Sequence, residues 1–149
     1  MREEKAKALF DACYKAKRIR ELLPELPEGV TSSYIHFLDA IERMERERIH
    51  VKVSDISDFL RIPRPGVTRT ANEMERKGFI RKTESAEDGR VTYITVTESG
   101  RKLSEAYNGH FFSQLVQMVP DISDDDADCT VRTLEKLYGI MTERRISID

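Results

Sequence analysis

Cysteine is scarce. Cys13 and Cys129, two among 149 residues, lie far apart and outside any CxxC, which excludes a zinc knuckle, a thioredoxin-like redox pair and a disulfide framework. Each falls on an apolar helical repeat and reads as a small packed hydrophobe. His36, His50 and His110 are isolated, without the HxxxH or HExxH spacing that sets two imidazoles on one helix face. The acidic run Asp124 to Asp128 lacks the alternating oxygen ligands, mid-loop glycine and closing glutamate of a calcium loop, and reads as the charged first turn of a helix. There is no glycine-rich phosphate loop and no GxSxG, so neither enzyme activity nor a metal or cofactor is expected. The uncharged stretch Phe111 to Pro120 has about half the length of a membrane span. The start MREEKAKALF lacks the apolar block of a secretion signal, so a cytoplasmic protein without membrane contact is expected.

What is present suffices for one core. Apolar residues make up 39% and charged residues 35% of the chain, a balance typical of a folded globular domain. Lys plus Arg (25) nearly cancels Asp plus Glu (27), for a net charge of −2. The distribution is uneven: between Arg61 and Lys82 seven basic side chains stand against two acidic ones, a local +5 that leaves −7 for the remainder. A basic island on an acidic body suits a polyanion met in one orientation.

The apolar spacing of Leu9, Ala12/Cys13, Ala16, Ile19 and Leu23 predicts a helix from Arg2 to Leu23, ended by Pro24. Thr31 or Ser32 can cap a second helix with a stripe of Tyr34, Phe37/Leu38, Ile41 and Met44, running into ERMERERIH, a charged end of the kind that is normally solvated. Val51 and Val53 allow a strand fragment. Ser54 is the expected cap of a short helix through Leu60 that buries Ile56, Phe59 and Leu60. A further helix is predicted from Pro65 to Lys77, stopped by Gly78. On a wheel, Val67, Ala71 and Met74 form its one apolar stripe, while Pro65, Thr68, Arg69, Asn72 and Arg76 share the far side. Phe79 to Thr83 and Arg90 to Val96 then read as a β-ribbon around the Asp88-Gly89 turn. Thr97 caps a helix with Leu103, Tyr107, Phe111, Leu115 and Met118 on its stripe, and Ser123 caps a last one through about Arg144.

Short helix, tight turn, helix and two-stranded ribbon make a winged helix-turn-helix, whose second helix enters the major groove of double-stranded DNA. The fold class expected is therefore mainly α with a small β-wing, flanked by N- and C-terminal dimerisation helices. Arg forks to guanine O6 and N7, Asn pairs with adenine N6 and N7, and Thr bonds a base or phosphate while its methyl meets thymine. Arg69, Asn72 and Thr68 supply these types on one face, with Arg76 beside them. Lys82 reads as a phosphate contact indifferent to sequence. Gly66 removes side-chain bulk where a helix N-terminus would approach phosphate.

Val67-Thr68-Arg69 through Gly78-Phe79-Ile80, then Glu87-Asp88-Gly89-Arg90, then Val96-Thr97-Glu98-Ser99-Gly100 resemble the MarR family of bacterial winged-helix regulators. In that family the recognition helix ends in Lys-Gly-Leu/Phe-Ile/Val, the wing carries Asp-x-Arg and the last strand closes with Leu-Thr-x-x-Gly. Here Val96 stands in place of that leucine. The resemblance implies that Asp88 and Arg90 are the wing pair, with Arg90 in the minor groove, and that Arg64, Pro65, Thr68, Arg69 and Asn72 form the groove-facing start of the recognition helix. Pro63-Arg64-Pro65-Gly66 departs from the family in lacking a Ser/Thr cap. The resemblance also implies a small ligand, often an aromatic acid, between the dimer helices and the DNA-binding lobe. Tyr34, His36 and Phe37 are candidates by residue type alone, and core packing explains them better.

The organisation expected is one domain over 1–149, with 48–97 as the DNA-binding lobe and 1–47 with 98–149 as a helical dimerisation region. Leu9, Ile19, Leu134, Leu137, Tyr138 and Met141 are too many apolar groups for helices flanking a small lobe, which points to a homodimer. Such a dimer, a repressor by expectation, reads a pseudo-palindrome with half-sites about one DNA turn apart. The other reading is a winged module that binds protein without specific DNA binding. It calls for aromatics where Arg69 and Asn72 stand.

Overall fold

The computed structural model describes residues 1–47, 50–144 and 147. Its elements run α1 (Glu3–Glu21), α2 (Ser32–Glu47), β1 (Val51–Lys52), α3 (Val53–Leu60), α4 (Arg64–Arg76), β2 (Ile80–Glu84), β3 (Thr92–Val96), α5 (Glu98–Ser104), a π-helical turn (Glu105–His110), α6 (Phe111–Met118) and α7 (Asp124–Glu143). The chain divides into two compact units, Met1–Asn108 and Gly109–Asp149. The mainly helical fold with a small β-wing is as the sequence indicates.

The core of the first unit is built on α2. Tyr34, Phe37, Leu38, Ile41 and Met44 are all buried, as their spacing predicts, and pack with Ile56 of α3 and with Val67, Ala71 and Met74 of α4. The three-stranded antiparallel sheet, in the order β1-β3-β2, adds Val51, Ile80, Ile94 and Val96 to the same cluster. Pairing runs from Ile80 opposite Val96 to Glu84 opposite Thr92. The strand period of two therefore turns Ile80, Ile94 and Val96 inward together.

Several local expectations shift. Helix α3 starts two residues early, capped at Lys52 rather than Ser54, because the Asp55 carboxylate accepts the Lys52 backbone N–H at 2.9 Å; Ser54 lies inside the helix. Of its expected buried side only Ile56 is fully buried, and Phe59 is 48% exposed. The charged end of α2 is not simply solvated. Glu45 accepts from Arg101 Nη2 at 3.0 Å and from the Val96 N–H at 3.3 Å, and Glu42 accepts from the buried Ser104 hydroxyl at 2.5 Å. Arg48 and Ile49 of that segment lie outside the described residues. The helix expected from Glu98 to Met118 is interrupted by the π-turn, where the Tyr107 hydroxyl donates to the Glu25 carbonyl and Asn108 Nδ2 to the Ile35 carbonyl. A wider turn re-aims side chains that a regular helix would space otherwise.

The β-ribbon is anchored by two helix ends. Gly78, at φ +78°, sends its N–H to the Glu75 carbonyl and Phe79 sends its own to the Met74 carbonyl, the paired bonds that close α4. Opposite, Thr97 Oγ1 accepts from the Gly100 N–H at 3.1 Å and donates to the Gly78 carbonyl at 2.6 Å. A Cβ on Gly100 would stand 2.1 Å from the Phe79 carbonyl oxygen, so the backbones touch there. In the second unit Ser123 caps α7 by accepting from Asp126 N–H at 3.2 Å, and the Ser123 hydroxyl and N–H in turn hold the Asp126 carboxyl below its ordinary value. No residue of α7 is buried within the chain, so Cys129 is exposed rather than packed.

Gly100→Ala has to push helix and strand apart. Urea denaturation should show a loss of at least about 2 kcal/mol, and a loss below half of that would mean the contact relaxes freely.

Candidate nucleic-acid interface

The short link between α3 and α4 is set by backbone rather than by a capping side chain. Arg61 takes φ +53°, a left-handed geometry that ends α3, and Ser57 Oγ donates to the Ile62 carbonyl at 2.6 Å. Pro63 then precedes the helix, and its carbonyl accepts from Gly66 and Val67 N–H at 2.9 and 3.2 Å. Helix α4 accordingly begins at Arg64, one residue before the expected Pro65. No side-chain cap is made, as the sequence indicates. With Val67, Ala71 and Met74 buried, Arg64, Pro65, Thr68, Arg69, Asn72 and Arg76 stand exposed on the opposite face. These six line a shallow hollow of about 600 Å³ together with Glu73. A second hollow, of about 320 Å³ between α4 and the wing, brings Arg64, Thr68 and Asn72 together with Lys82 and Arg90.

Arg90 stands at the wing tip with its side chain 95% exposed. The connection 85–91 is closed by the Ser85 N–H on the Val91 carbonyl at 2.8 Å and by the Val91 N–H on the Asp88 carbonyl at 2.9 Å. Within it Asp88 Oδ1 accepts from the Arg90 N–H at 3.0 Å and lies 3.5 Å from its Nε. Asp88 thus orders the tip and lines neither hollow. Gly89 keeps an ordinary φ, so Asp88-Gly89 opens a β-turn inside a longer loop rather than forming a two-residue hairpin.

Lys82 differs from the picture of a freely offered phosphate contact. It shares the inward parity of Ile80, and its Nζ reaches Asn72 Oδ1 at 2.6 Å and Glu75 Oε2 at 2.9 Å, while its N–H donates to Glu75 Oε1 at 3.0 Å. Glu75 was missed from sequence. Its signal is wheel position, about 60° from Asn72 and facing the inward side of β2. Glu73, the other acid of the basic island, accepts from the Tyr34 hydroxyl at 3.0 Å. Burial first, then this bond, raises the Tyr34 phenol above its ordinary value. Arg64, Arg69 and Arg76 pair with no carboxylate among the described residues. No group of three or more His, Cys, Asp or Glu able to hold a metal occurs among them, and no helix is long and apolar enough to cross a membrane.

Residues 28–91, which span α2 through the wing loop, match the model of the MarR family. The match covers 64 of the 149 residues, the part of the chain that holds α4 and most of the ribbon. The HTH-type transcriptional regulator YdgJ of Bacillus subtilis is 21% identical over 109 residues, covering 73% of this chain and 64% of that protein. The transcriptional repressor MprA of Escherichia coli is 31% identical over 75 residues, 50% of this chain and 42% of that protein. The chain thus spans less than two thirds of the length of these curated relatives. In fold it is similar to FabT of Streptococcus pneumoniae, solved in complex with DNA, at 21% identity and a TM-score of 0.64 over 94% of both chains. The family and these relatives are regulators rather than enzymes.

The bond from Lys82 is the foremost cause that holds the Glu75 carboxyl below its ordinary 4.5. A carboxyl lowered by folding contributes stability that is present above the ordinary value and lost as pH falls through the lowered one. Thermal unfolding from about pH 5 to about pH 3 should therefore fall less steeply for Glu75→Gln than for the wild type. Equal slopes would mean that Glu75 and Lys82 are not paired in solution.

Proposed function

We infer that this chain is a MarR-family, sequence-specific transcriptional regulator that binds double-stranded DNA, acting as a homodimer on a pseudo-palindromic operator. The observation that carries the reading is the convergence of Arg64, Thr68, Asn72, Lys82 and Arg90 around one hollow between α4 and the wing. A helix face of that composition matches the hydrogen-bonding groups of the major groove, and an exposed arginine at a ribbon tip matches the narrow, negative minor groove beside it. FabT, of similar fold, was solved with DNA. In this reading Arg69 and Arg76 contact bases and backbone along the groove, Pro65 and the free amides of the first turn meet phosphate, and Asp88 sets the aim of Arg90. No aromatic stands on the α4 face, which disfavours the protein-docking alternative.

The dimer is supported by what the helices outside the lobe leave open. Ile19 of α1 is 62% exposed, and on α7 Leu134, Tyr138 and Met141 are 38%, 60% and 46% exposed, with Leu137 and Leu9 of α1 half-buried. Apolar stripes of this kind are covered by a second copy in a two-fold assembly, with 1–47 and 98–149 as the dimerisation region. A repressor role has its support in the name of MprA. A cytoplasmic location is what this DNA-binding reading calls for. A ligand-responsive switch has its support in the family likeness alone, and Tyr34 and Phe37, at 3% and 1% exposure, belong to the core.

Titration of the promoter region upstream of its own gene should give an affinity that falls steeply with salt. Arg69→Ala should cost about 1–3 kcal/mol on the selected site and little on random duplex. An unchanged ratio of specific to nonspecific affinity removes Arg69 from base readout. Sedimentation equilibrium at micromolar concentration should give twice the 17.2 kDa of one chain. Leu137→Asp should lower that mass to one chain and abolish operator binding with it, whereas a wild-type mass of one chain would sink the dimer.

A further inference from the structure

Asparagine is expected to read adenine through two bonds, Nδ2 donating to N7 and Oδ1 accepting from the N6 amino group. In this chain one lone pair of Asn72 Oδ1 is already taken, and the ammonium that takes it sets a positive charge against any second donor approaching that oxygen. Lys82 Nζ lies 2.6 Å from it and 2.9 Å from Glu75 Oε2, with Glu75 also held by the Lys82 backbone N–H at 3.0 Å. The orientation of the amide is fixed by chemistry: an ammonium group only donates, so the atom facing it must be the oxygen. Asn72 remains exposed and lines both hollows, so what it offers the groove is its NH₂ group.

We propose that Lys82, reaching across from the wing strand, makes Asn72 a donor-only reader, so that the base it faces is a keto base, guanine or thymine, rather than adenine. In the major groove guanine presents O6 and N7 and thymine presents O4, all acceptors, whereas adenine pairs its N7 acceptor with an N6 amino donor and cytosine presents an amino donor alone. A donor-only amide can bond guanine at both O6 and N7 or thymine at O4, whereas on adenine it keeps N7 alone and sets itself against the N6 amino group, and on cytosine it meets only a donor. The Lys82–Glu75 pair is what holds this state. Glu75 anchors the ammonium from the side away from the groove, and the side chain of Lys82, 25% exposed, is not free to swing to phosphate. Lys82 is on this account a positioning residue that sets specificity through Asn72. The inference rests on the DNA-binding reading above.

The test is selection of bound sequences from a randomised duplex library by wild-type protein, Asn72→Ala, and the double variant Lys82→Met with Glu75→Gln, which removes both charges of the pair and leaves no lone carboxylate. Thermal unfolding of each variant verifies that it is folded. The wild type should enrich one position in guanine or thymine over adenine by at least about fivefold, the lower bound for a well-formed base contact, and Asn72→Ala should flatten that position. In the double variant Oδ1 is released and the same position should turn to adenine, a change of base identity that mere loosening of the wing does not produce. Adenine at the Asn72-dependent position in the wild type, or an unchanged keto preference in the folded double variant, overturns the proposal. A wild type that enriches no duplex at all overturns the DNA-binding reading itself, and this inference with it.

Discussion

The Phe79 carbonyl is the point on which the DNA-binding lobe turns. Its own residue closes α4 through an N–H to Met74, and its oxygen accepts from the Thr97 N–H at 3.1 Å, so the end of one helix and the start of another share a single residue. Gly100 lies against the same oxygen, at a distance no side chain would allow. That clasp sets Ile80 opposite Val96. A slip of one residue would send Ile80 and Lys82 to the solvent face together, stripping the core of a buried isoleucine and α4 of its bridge to the wing.

From that register follows the division of labour among the charges. The inward residues of β2 meet α4, which puts Lys82 beside Asn72 and Glu75. The loop beyond Glu84 carries Arg90 past the last strand pair into solvent. Pairing Lys82 with Glu75 removes one charge of each sign and leaves the net +5 of the segment unchanged, but shifts its exposed part towards arginine. This matters for recognition because guanidinium offers a planar fork of donors where an ammonium is a point charge.

How much of this was legible in the sequence depends on how local each feature is. The stripes of α2 and α4, the Gly78 stop, and the Thr97 and Ser123 caps are one-dimensional patterns, and each stands where the spacing puts it. The features missed join residues distant along the chain. Glu42 and Glu45 look like part of a solvated run until α5 and β3 arrive to receive them, and Phe59 fits an apolar period on α3 that the neighbouring elements do not cover. The π-turn has no signature in composition, because its partners, the Glu25 and Ile35 carbonyls, are more than seventy residues away. In the candidate site the exposed residues of α4 were legible from the wheel. The engagement of Asn72 by Lys82 was not, since it needs the ribbon register as well as the helix face.

The carboxylates of α2 show why such long-range pairs belong with function rather than stability. Glu45 and Arg101 are 20% and 55% exposed, an ion pair of the kind worth little in net free energy. Yet Glu45 also accepts from the N–H of Val96, the residue just before the Thr97 cap, and so ties the base of the wing to the helix that carries the core. Apolar packing of Ile94 and Val96 supplies the cohesion but is tolerant of small rotations. Directional bonds at the strand end are not. A ribbon that must place an arginine at its tip relative to a helix face needs its base fixed in angle, and polar bonds at the base do this without enlarging the core.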